Sequence, residues 1–228
     1  MATIGLRDLF YATITPQPNG KDLYGKPVRM AKAIQVGLST QTAEANLFAD
    51  DAVDETAKEF VSGTLTINMN DLDPKHQGVL LGQKTDADGV VYANGDDEAP
   101  YVAVGFRATK TRGRFRYVWL YKVKFAIPDE NYQTKGDSIT FQTPSIVGTC
   151  IKRNDGEWKA DYVGLPTDTS STKWFDAVRE KNMTPTEPTD PEQPEPLGNA
   201  TLAIGRQNVS GGVQVGGQSM PLNVNGGV

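Results

Sequence analysis

The strongest constraint on the fold comes from two apolar segments, residues 101–110 and 115–127, joined by the polar stretch Thr111-Arg112-Gly113-Arg114. The first alternates in YVAVGFRA, and the second is aromatic and β-branched almost throughout, reading FRYVWLYKVKF. Residues of these types are enriched in strands and depleted in turns. The pattern therefore predicts a long β-hairpin whose tip is the polar stretch.

Composition favours a β-rich domain around this hairpin. The chain has 228 residues, of which 38% are hydrophobic, with 23 Gly and 14 Pro. This length allows one domain with a full core, and the many turn residues favour strands and connections over helices. The formal net charge of −5 argues against binding to the outside of a nucleic acid, which needs a basic face.

Further strands and two helices are predicted from periodicity and from turn residues. Asp73-Pro74 is a typical helix start, with Gly82 as its end and Val79, Leu80 and Leu81 as its buried side. A second helix is predicted over residues 169–181, and residues 41–58 are expected to be a loop. The other predicted strands cover residues 9–15, 28–40, 59–70, 90–92, 137–153 and 157–163.

The sequence divides into three parts. Residues 184–196 read TPTEPTDPEQPEP, and five prolines with four acidic residues cannot form a core. We therefore predict a β domain over residues 1–182, a Pro/Glu-rich linker over 183–197 and a Gly/Val/Asn-rich extension over 198–228. The extension is too small to hold a sizeable core and is expected to project outward.

Several features predict synthesis and folding in a cytoplasm. The N-terminus MATIGLRDLFYATITPQ has no apolar run of signal length. No segment reaches the roughly 20 apolar residues that a membrane-spanning helix needs. A single cysteine excludes an intramolecular disulfide and argues against folding that depends on an oxidising compartment.

No residue pattern indicates a catalytic, cofactor or metal site. His76 is the only histidine and lacks a positioned partner, and Cys150 lies in the strand-like SIVGTCIKR. The acidic stretch from Asp86 does not match a calcium loop, because Gly89 is its fourth residue and Asp97 its twelfth. We therefore expect no enzyme and no cofactor. A hydrolase using paired carboxylates stays open, because such pairs form in space rather than in sequence.

Two charged clusters are candidate contact sites. The acidic cluster comprises Asp50, Asp51, Asp54 and Glu55, which would form a solvated loop in a monomer or a negative surface in a ring.

The basic cluster comprises Lys110, Arg112 and Arg114 at the hairpin tip, and it is followed by Phe115, Arg116 and Tyr117. It could bind single-stranded nucleic acid through cations and aromatic rings. Alternatively, it could meet an acidic patch on a neighbouring subunit.

The order of segments resembles the major tail protein of bacteriophages with long, non-contractile tails, in particular the phi13-type family. The resemblance covers about residues 1–182. It rests on LFADDAVDETAKEFVSGTLTINMNDL followed by a helix, on YVWLYKVKF and on ITFQTPSIVGT.

The resemblance implies a mainly β fold of two packed antiparallel sheets, a β-sandwich or partial barrel, with one or two flanking α-helices. It also implies hexameric rings that stack into a tail tube, the conduit for genome ejection into the host. The implied partners are further copies of the chain, a tape measure protein, and tail terminator and distal tail proteins. DNA would pass through the lumen without specific binding, no membrane is involved, and the protein would reside in the virion.

On this reading the acidic cluster would line the lumen or join rings, and the basic hairpin tip would contact a neighbouring subunit. Residues 16–27 and 41–58 are further candidates for contacts between subunits or rings. The alternative is a carbohydrate-binding β-sandwich module, with Trp119, Tyr121 and Trp158 as its platform.

Overall fold

The computed structural model describes residues 1–18, 20–49, 52–134 and 141–181. All of them belong to the first unit of the chain, Met1–Thr184. The predicted linker 183–197 and extension 198–228 lie outside the described residues. The elements are β1 (Thr3–Pro16), β2 (Asp22–Tyr24), β3 (Val28–Arg29), β4 (Ala33–Ala49), β5 (Ala52–Met69), α1 (Pro74–Leu81), β6 (Lys84–Thr85), β7 (Val91–Tyr92), β8 (Tyr101–Lys110), β9 (Phe115–Phe125), β10 (Ser145–Cys150), β11 (Lys159–Gly164) and α2 (Thr169–Thr172).

The large sheet is built around the predicted hairpin, which forms strands β8 and β9. Strand β8 pairs with β1 on its other side. Strand β9 pairs with β11 through its first half and with β10 through its second half. The sheet continues from β10 to β5 and then to β4, and every one of these pairings is antiparallel.

This sheet curls into a partial barrel. The sequence predicts one strand over residues 28–40, but the structure divides it at residues 30–32 into β3 and β4. Strand β3 pairs with the side of β1 that β8 leaves free, while β4 pairs with β5. The chain therefore crosses from one end of the sheet to the other, which brings its two ends together.

The predicted fold class is confirmed: the protein is mainly β, with two antiparallel sheets and two helices. The second sheet is small and consists of β6 and β7, next to α1. The main core lies on the enclosed face of the large sheet, because side chains from strands all around the curl contact one another there. Its largest fully buried members are Leu9, Leu65, Ile67, Met69, Leu80, Val102, Val104, Leu120, Val123 and Ile146.

Helix α1 begins and ends where the sequence predicts. The Asp73 carboxylate accepts a hydrogen bond from the Lys75 amide at 2.8 Å, and Pro74 is the first helical residue. Gly82 ends the helix in the left-handed conformation, with φ of 74°. Leu80 and Leu81 are buried as predicted, but the prediction for Val79 is wrong, because its side chain is 40% exposed.

A second apolar layer covers the outer face of β1, β8, β9 and β11. Trp174 and Val178, which follow α2, pack there on Tyr117, Trp119 and Tyr121. The predicted helix over residues 169–181 is wrong, because α2 comprises only Thr169–Thr172.

The reason for the short helix lies in two hydrogen bonds from the sheet. The Trp119 indole Nε1 donates to the Trp174 carbonyl at 3.0 Å, and the Tyr121 hydroxyl donates to the Arg179 carbonyl at 2.7 Å. These carbonyls bind side chains of the sheet, and the chain after α2 lies flat on its aromatic surface. Packing on the sheet has overridden the local helical pattern.

Substituting Gly105 tests the contact between β8 and β9. A Cβ atom at Gly105 would lie 2.7 Å from the Trp119 ring carbons, and that ring is fully buried. We expect Gly105→Ala to lower the free energy of unfolding by about 1–3 kcal/mol through overpacking. Denaturant unfolding measures this loss. Gly95→Ala is the matched control, since its Cβ would meet nothing within 4 Å; equal losses in both variants would contradict the packing argument.

Candidate assembly surfaces

The end of the β4–β5 hairpin forms an arm whose two strands, among the described residues, pair only with each other. The sequence predicts a loop over residues 41–58, and this prediction is wrong: the strands stay paired up to Ala49 and Ala52. Strand β10 pairs with β5 only from Gly63 to Asn68. We define the arm as residues 41–49 and 52–62. Each strand extends roughly 30 Å at about 3.3 Å per residue, and the side chains of residues 39–47 and 52–59 are exposed.

One face of the arm is polar and internally paired. Side chains alternate between the two faces of a ribbon, so cross-strand partners share a face. Glu44 faces Lys58, with an ion-pair distance of 3.1 Å. The Thr56 hydroxyl donates a hydrogen bond to the Asn46 side-chain oxygen at 2.8 Å. These contacts set the register of the arm without help from the barrel.

The opposite face of the arm is small and apolar near its middle. Ala45 pairs with Ala57, and Ala43 and Leu47 precede and follow Ala45 on the same face, where their cross-strand partners are Glu59 and Glu55. The Leu47 side chain is 57% exposed. This face therefore has an exposed apolar centre bordered by two carboxylates. An exposed apolar centre of this kind can pack against another surface.

The base of the arm is attached to the domain. The Phe60 ring stacks on the Trp158 ring, with centroids 4.3 Å apart and planes 7° apart. Glu59 forms an ion pair with Lys152, whose hydrogen bond lowers the pKa of the Glu59 carboxyl. The arm is thus held where it leaves the sheet, and its outer part has only its own strand as a backbone partner.

Two members of the acidic cluster, Asp54 and Glu55, lie toward the outer end of this arm. Asp54 and Glu55 are exposed residues of β5, and neither forms an ion pair within the described residues. Asp50 and Asp51 lie outside the described residues. Asp54 and Glu55 thus belong to a paired strand rather than to a loop, and the role of the cluster in a lumen or between rings stays a prediction.

The basic hairpin tip projects from the start of β9. Arg112 and Arg114 are exposed and Lys110 is half-buried. In the part of the chain that the structure describes, none of these three side chains forms an ion pair. Arg112 has φ of 66°, the left-handed region that favours glycine, and Gly113 follows with φ of 69°.

The nucleic-acid alternative for this tip loses its aromatic component. Tyr117 is only 1% exposed, within the outer apolar layer. Phe115 lies beneath the Arg107 guanidinium, whose central carbon is 4.7 Å from the ring centroid. Arg116 is engaged by the Asp161 carboxylate, with Nε 2.9 Å from Oδ1, and this hydrogen bond raises the pKa of Arg116. The tip offers cations but no free ring on which a base could stack.

The acidic arm and the basic tip lie at the same end of the large sheet. Strands β5 and β9 are both antiparallel to β10, so they run in the same direction. The turn of the arm precedes β5, and the basic tip precedes β9. Both charged groups therefore lie at the end where these two strands begin.

Residues with catalytic potential have structural partners. Cys150 is fully buried, and burial raises the pKa of its thiol to about 11. The His76 Nδ1 atom lies 3.1 Å from the Tyr11 hydroxyl oxygen. The Asp86 carboxylate accepts hydrogen bonds from the Asp88 and Val90 amides, at 3.0 and 2.8 Å, in its own turn. No group of three or more potential metal ligands occurs among the residues that the structure describes.

The proposed carbohydrate platform does not form. Trp119 is fully buried and Tyr121 is 3% exposed, both under the segment that follows α2. Trp158 is covered on one side by Phe60. A sugar that stacks on aromatic side chains needs rings that are accessible to it. These rings instead pack within the fold.

Sequence reasoning missed a buried ion network around Arg153. Its side chain is 8% exposed and forms ion pairs with Asp155, Glu157 and Glu180, the last at 2.7 Å. Burial alone would lower the pKa of Arg153, but hydrogen bonds with Tyr24 and Asp155 outweigh it and raise that pKa. Glu180 follows α2, so the network ties that segment to the sheet. Asp155 and Glu157 are close to Arg153 in sequence, but the contacts with Tyr24 and Glu180 join segments distant in sequence, and no local pattern marks them.

Comparisons with known proteins give no family for the chain. No model of a known protein family matches it, and no curated protein sequence matches it either. Among the described residues, no helix has the length and apolar character needed to cross a membrane. The features of the protein that bear on its function are therefore the arm, the charged surfaces and the resemblance of residues 1–182 to phi13-type tail proteins.

The Cys150 thiol should be inert in the folded protein. Because its pKa is raised from 9.0 to about 11, the thiolate fraction near neutral pH should fall about a hundredfold, and burial adds a steric barrier. We expect iodoacetamide to leave the folded chain unmodified and to alkylate it once after unfolding in guanidinium, as measured by mass spectrometry. Rapid alkylation of the folded protein would contradict this assignment and reopen a nucleophilic role.

Proposed function

We propose that this chain is a structural virion protein that forms stacked hexameric rings, the tail tube of a long-tailed bacteriophage. The observation that carries the proposal is the arm, an exposed hairpin that no other described part of the chain covers beyond its base. The resemblance of residues 1–182 to phi13-type tail proteins indicates which kind of assembly this is. The tube would conduct the genome into the host cell.

Keeping an arm of this length ordered costs conformational entropy, and packing against another surface would offset that cost. Ordering backbone costs roughly 1–2 kcal/mol per residue, and an isolated two-stranded hairpin is at best marginally stable in water. The arm has cross-strand pairs on its polar face, but the apolar face around Ala45, Leu47 and Ala57 is bare. Burial of that face on a neighbouring subunit supplies the missing stabilisation.

The edges of the arm support the same conclusion. Beyond Gly63, each strand of the arm has a backbone partner on one side only, within the described residues. Long exposed edges are an aggregation hazard that proteins cover or pair. A ring closed by rotation gives every arm the same neighbour and leaves no arm uncovered, and stacking of such rings makes a tube of defined bore.

Of the two segments proposed for subunit contacts, the arm is the stronger candidate. Within residues 16–27, strand β2 (Asp22–Tyr24) folds back to pair with β1. The Asn154 side chain also donates a hydrogen bond to the Gly20 carbonyl at 2.9 Å. The segment 16–27 is thus bound to its own domain, whereas the arm beyond its base makes no such contact within the described residues.

The charge of the chain suits passage of DNA. Phosphates are bound by cations, so a lumen carrying carboxylates such as Asp54 and Glu55 would let DNA slide without binding. The proposal needs no cofactor and no membrane. Its partners are further copies of the chain and, as the resemblance implies, a tape measure protein, a tail terminator and a distal tail protein. Assembly would take place in the host cytoplasm, and the product would reside in the virion.

Negative-stain electron microscopy of the purified full chain at high concentration tests the function directly. We expect hollow tubes or six-fold rings. A chain that stays monomeric and binds sugars on a glycan array would contradict the proposal and favour the carbohydrate-binding alternative.

Shortening the arm should abolish assembly but preserve the domain. We expect replacement of residues 44–58 by Asn-Gly, which joins the paired residues Ala43 and Glu59, to form a two-residue hairpin turn. The barrel should unfold at nearly the wild-type temperature, because the outer arm contributes no core residue. Electron microscopy should show neither rings nor tubes.

A charge swap on the polar face is the matched control for the shortened arm. Glu44→Lys combined with Lys58→Glu retains the cross-strand ion pair and leaves the apolar face unchanged. This variant should assemble like the wild type. Tubes from the shortened chain, or loss of assembly in the swapped variant alone, would show that the apolar face of the arm is not the contact.

A further inference from the structure

A groove of about 730 Å³ lies at the end of the sheet opposite the basic hairpin tip. It is formed by residues that follow β5, residues that follow β9 and the start of β10. The side chains that matter here are Asp71, Ile127, Asp129, Glu130, Tyr132 and Val147. Strands β5 and β9 end at this groove, whereas the basic tip lies where β9 begins.

The groove combines unpaired carboxylates with exposed apolar groups. Asp71, Asp129 and Glu130 have no ion-pair partner within the described parts of the chain. The Glu130 carboxylate accepts hydrogen bonds only from neutral groups, the Tyr132 hydroxyl at 2.8 Å and the Gln77 amide at 3.3 Å. Ile127 is 82% and Tyr132 is 86% exposed. An occupant that covers these surfaces must bring positive charge and some apolar area.

The basic tip of a second copy has these properties. Lys110, Arg112 and Arg114 carry three cations without ion pairs in the described residues, against three carboxylates in the groove. Long basic side chains bury their aliphatic stems on apolar surface, as Ile127 offers. An arginine can also stack on an exposed aromatic ring, as Tyr132 offers. The charges and the side-chain types of the two surfaces are thus complementary.

The two surfaces cannot meet within one chain. Strand β9 has 11 residues between the tip and the groove, which separates them by roughly 36 Å at about 3.3 Å per residue. Surfaces at opposite ends of a molecule can meet only between copies. Such a contact is head-to-tail, and a head-to-tail contact that does not close by rotation repeats along an axis.

We propose that the basic hairpin tip of one subunit inserts into this acidic groove of the subunit in the next ring. The proposal rests on the tube-forming function and specifies its axial contact. The arm joins neighbours, and the tip-to-groove contact stacks the rings. Because the contact is largely ionic, salt weakens it more than it weakens the apolar contact of the arm.

The backbone at the tip is consistent with selection for a side chain. Arg112 occupies the left-handed region, where a residue with a Cβ atom is disfavoured by about 1–2 kcal/mol and glycine is not. Turn geometry alone would favour Gly or Asn at this position. An exposed arginine held there against the local preference is explained if its guanidinium has a partner.

Charge reversal on each surface, with exchange between them, tests the contact in the full chain. The tip variant is Arg112→Glu with Arg114→Glu, and the groove variant is Asp129→Lys with Glu130→Lys. Either variant on its own places like charges opposite each other where the tip meets the groove. Each should therefore raise the protein concentration needed to form tubes about tenfold or more. Rings should persist. Sedimentation measures the concentration needed for tubes, and electron microscopy shows whether rings persist.

Mixing the two variants provides the decisive observation. The negative tip of one variant matches the positive groove of the other, and the unchanged surfaces match as in the wild type. The mixture, and a chain carrying all four substitutions, should form tubes again.

The matched control is Lys84→Glu with Lys173→Glu, which changes the net charge as much as the tip variant does. Both lysines are exposed and lie away from the tip and the groove, so this control should form tubes like the wild type.

The outcomes separate this inference from the proposed function. Wild-type tubes together with unaffected tip and groove variants would overturn the contact and leave the function standing. Failure of the mixture to recover would also overturn the contact, because the two surfaces would then have other partners. A wild-type chain that forms neither rings nor tubes would overturn both proposals.

Discussion

The structure depends on strand β9 being buried on both of its faces. Its inward side chains, among them Leu120 and Val123, belong to the enclosed core, while Tyr117 and Trp119 belong to the outer layer. Trp119 lies over Gly105 of β8, where any side chain would collide with it, and its indole nitrogen holds the Trp174 carbonyl. One strand thus connects the curl of the sheet to the segment that covers it.

The burial of β9 on both faces gives the protein a barrel that is packed and hydrogen-bonded within itself. Three exposed surfaces outside the barrel have no such contacts among the described residues. Within the barrel, the titratable and aromatic groups of the kinds found in active and binding sites are engaged: Cys150 is buried, Trp119 is covered, and Arg153 is enclosed by carboxylates. Outside it, the apolar face of the arm and two charged surfaces lack partners within the described residues. Such a division is expected of a subunit whose stability comes from its core and whose function comes from contacts with its own copies.

Local sequence patterns predicted several elements well. Alternation with aromatic and β-branched residues located β8 and β9, and Asp73-Pro74 with Gly82 located α1, because caps and turns are short-range chemistry. The sequence predicts a loop over residues 41–58, where Ala, Asp and Glu, which are depleted in strands, are frequent. The helix after residue 168 was predicted from its spacing of apolar residues, yet the carbonyls of Trp174 and Arg179 bind side chains of the sheet.

The sequence by itself determined the class of fold, the cap of α1, the charged clusters and the lack of a recognisable catalytic pattern. These properties follow from side-chain chemistry and from spacing over a few residues. Tertiary structure alone decided that Trp119 and Tyr121 are buried, that residues 41–49 and 52–62 form an exposed arm, and that the basic tip and the acidic groove lie at opposite ends of β9. The reason is physical: which faces are covered, and which strands find partners, depends on pairings between segments far apart in the chain.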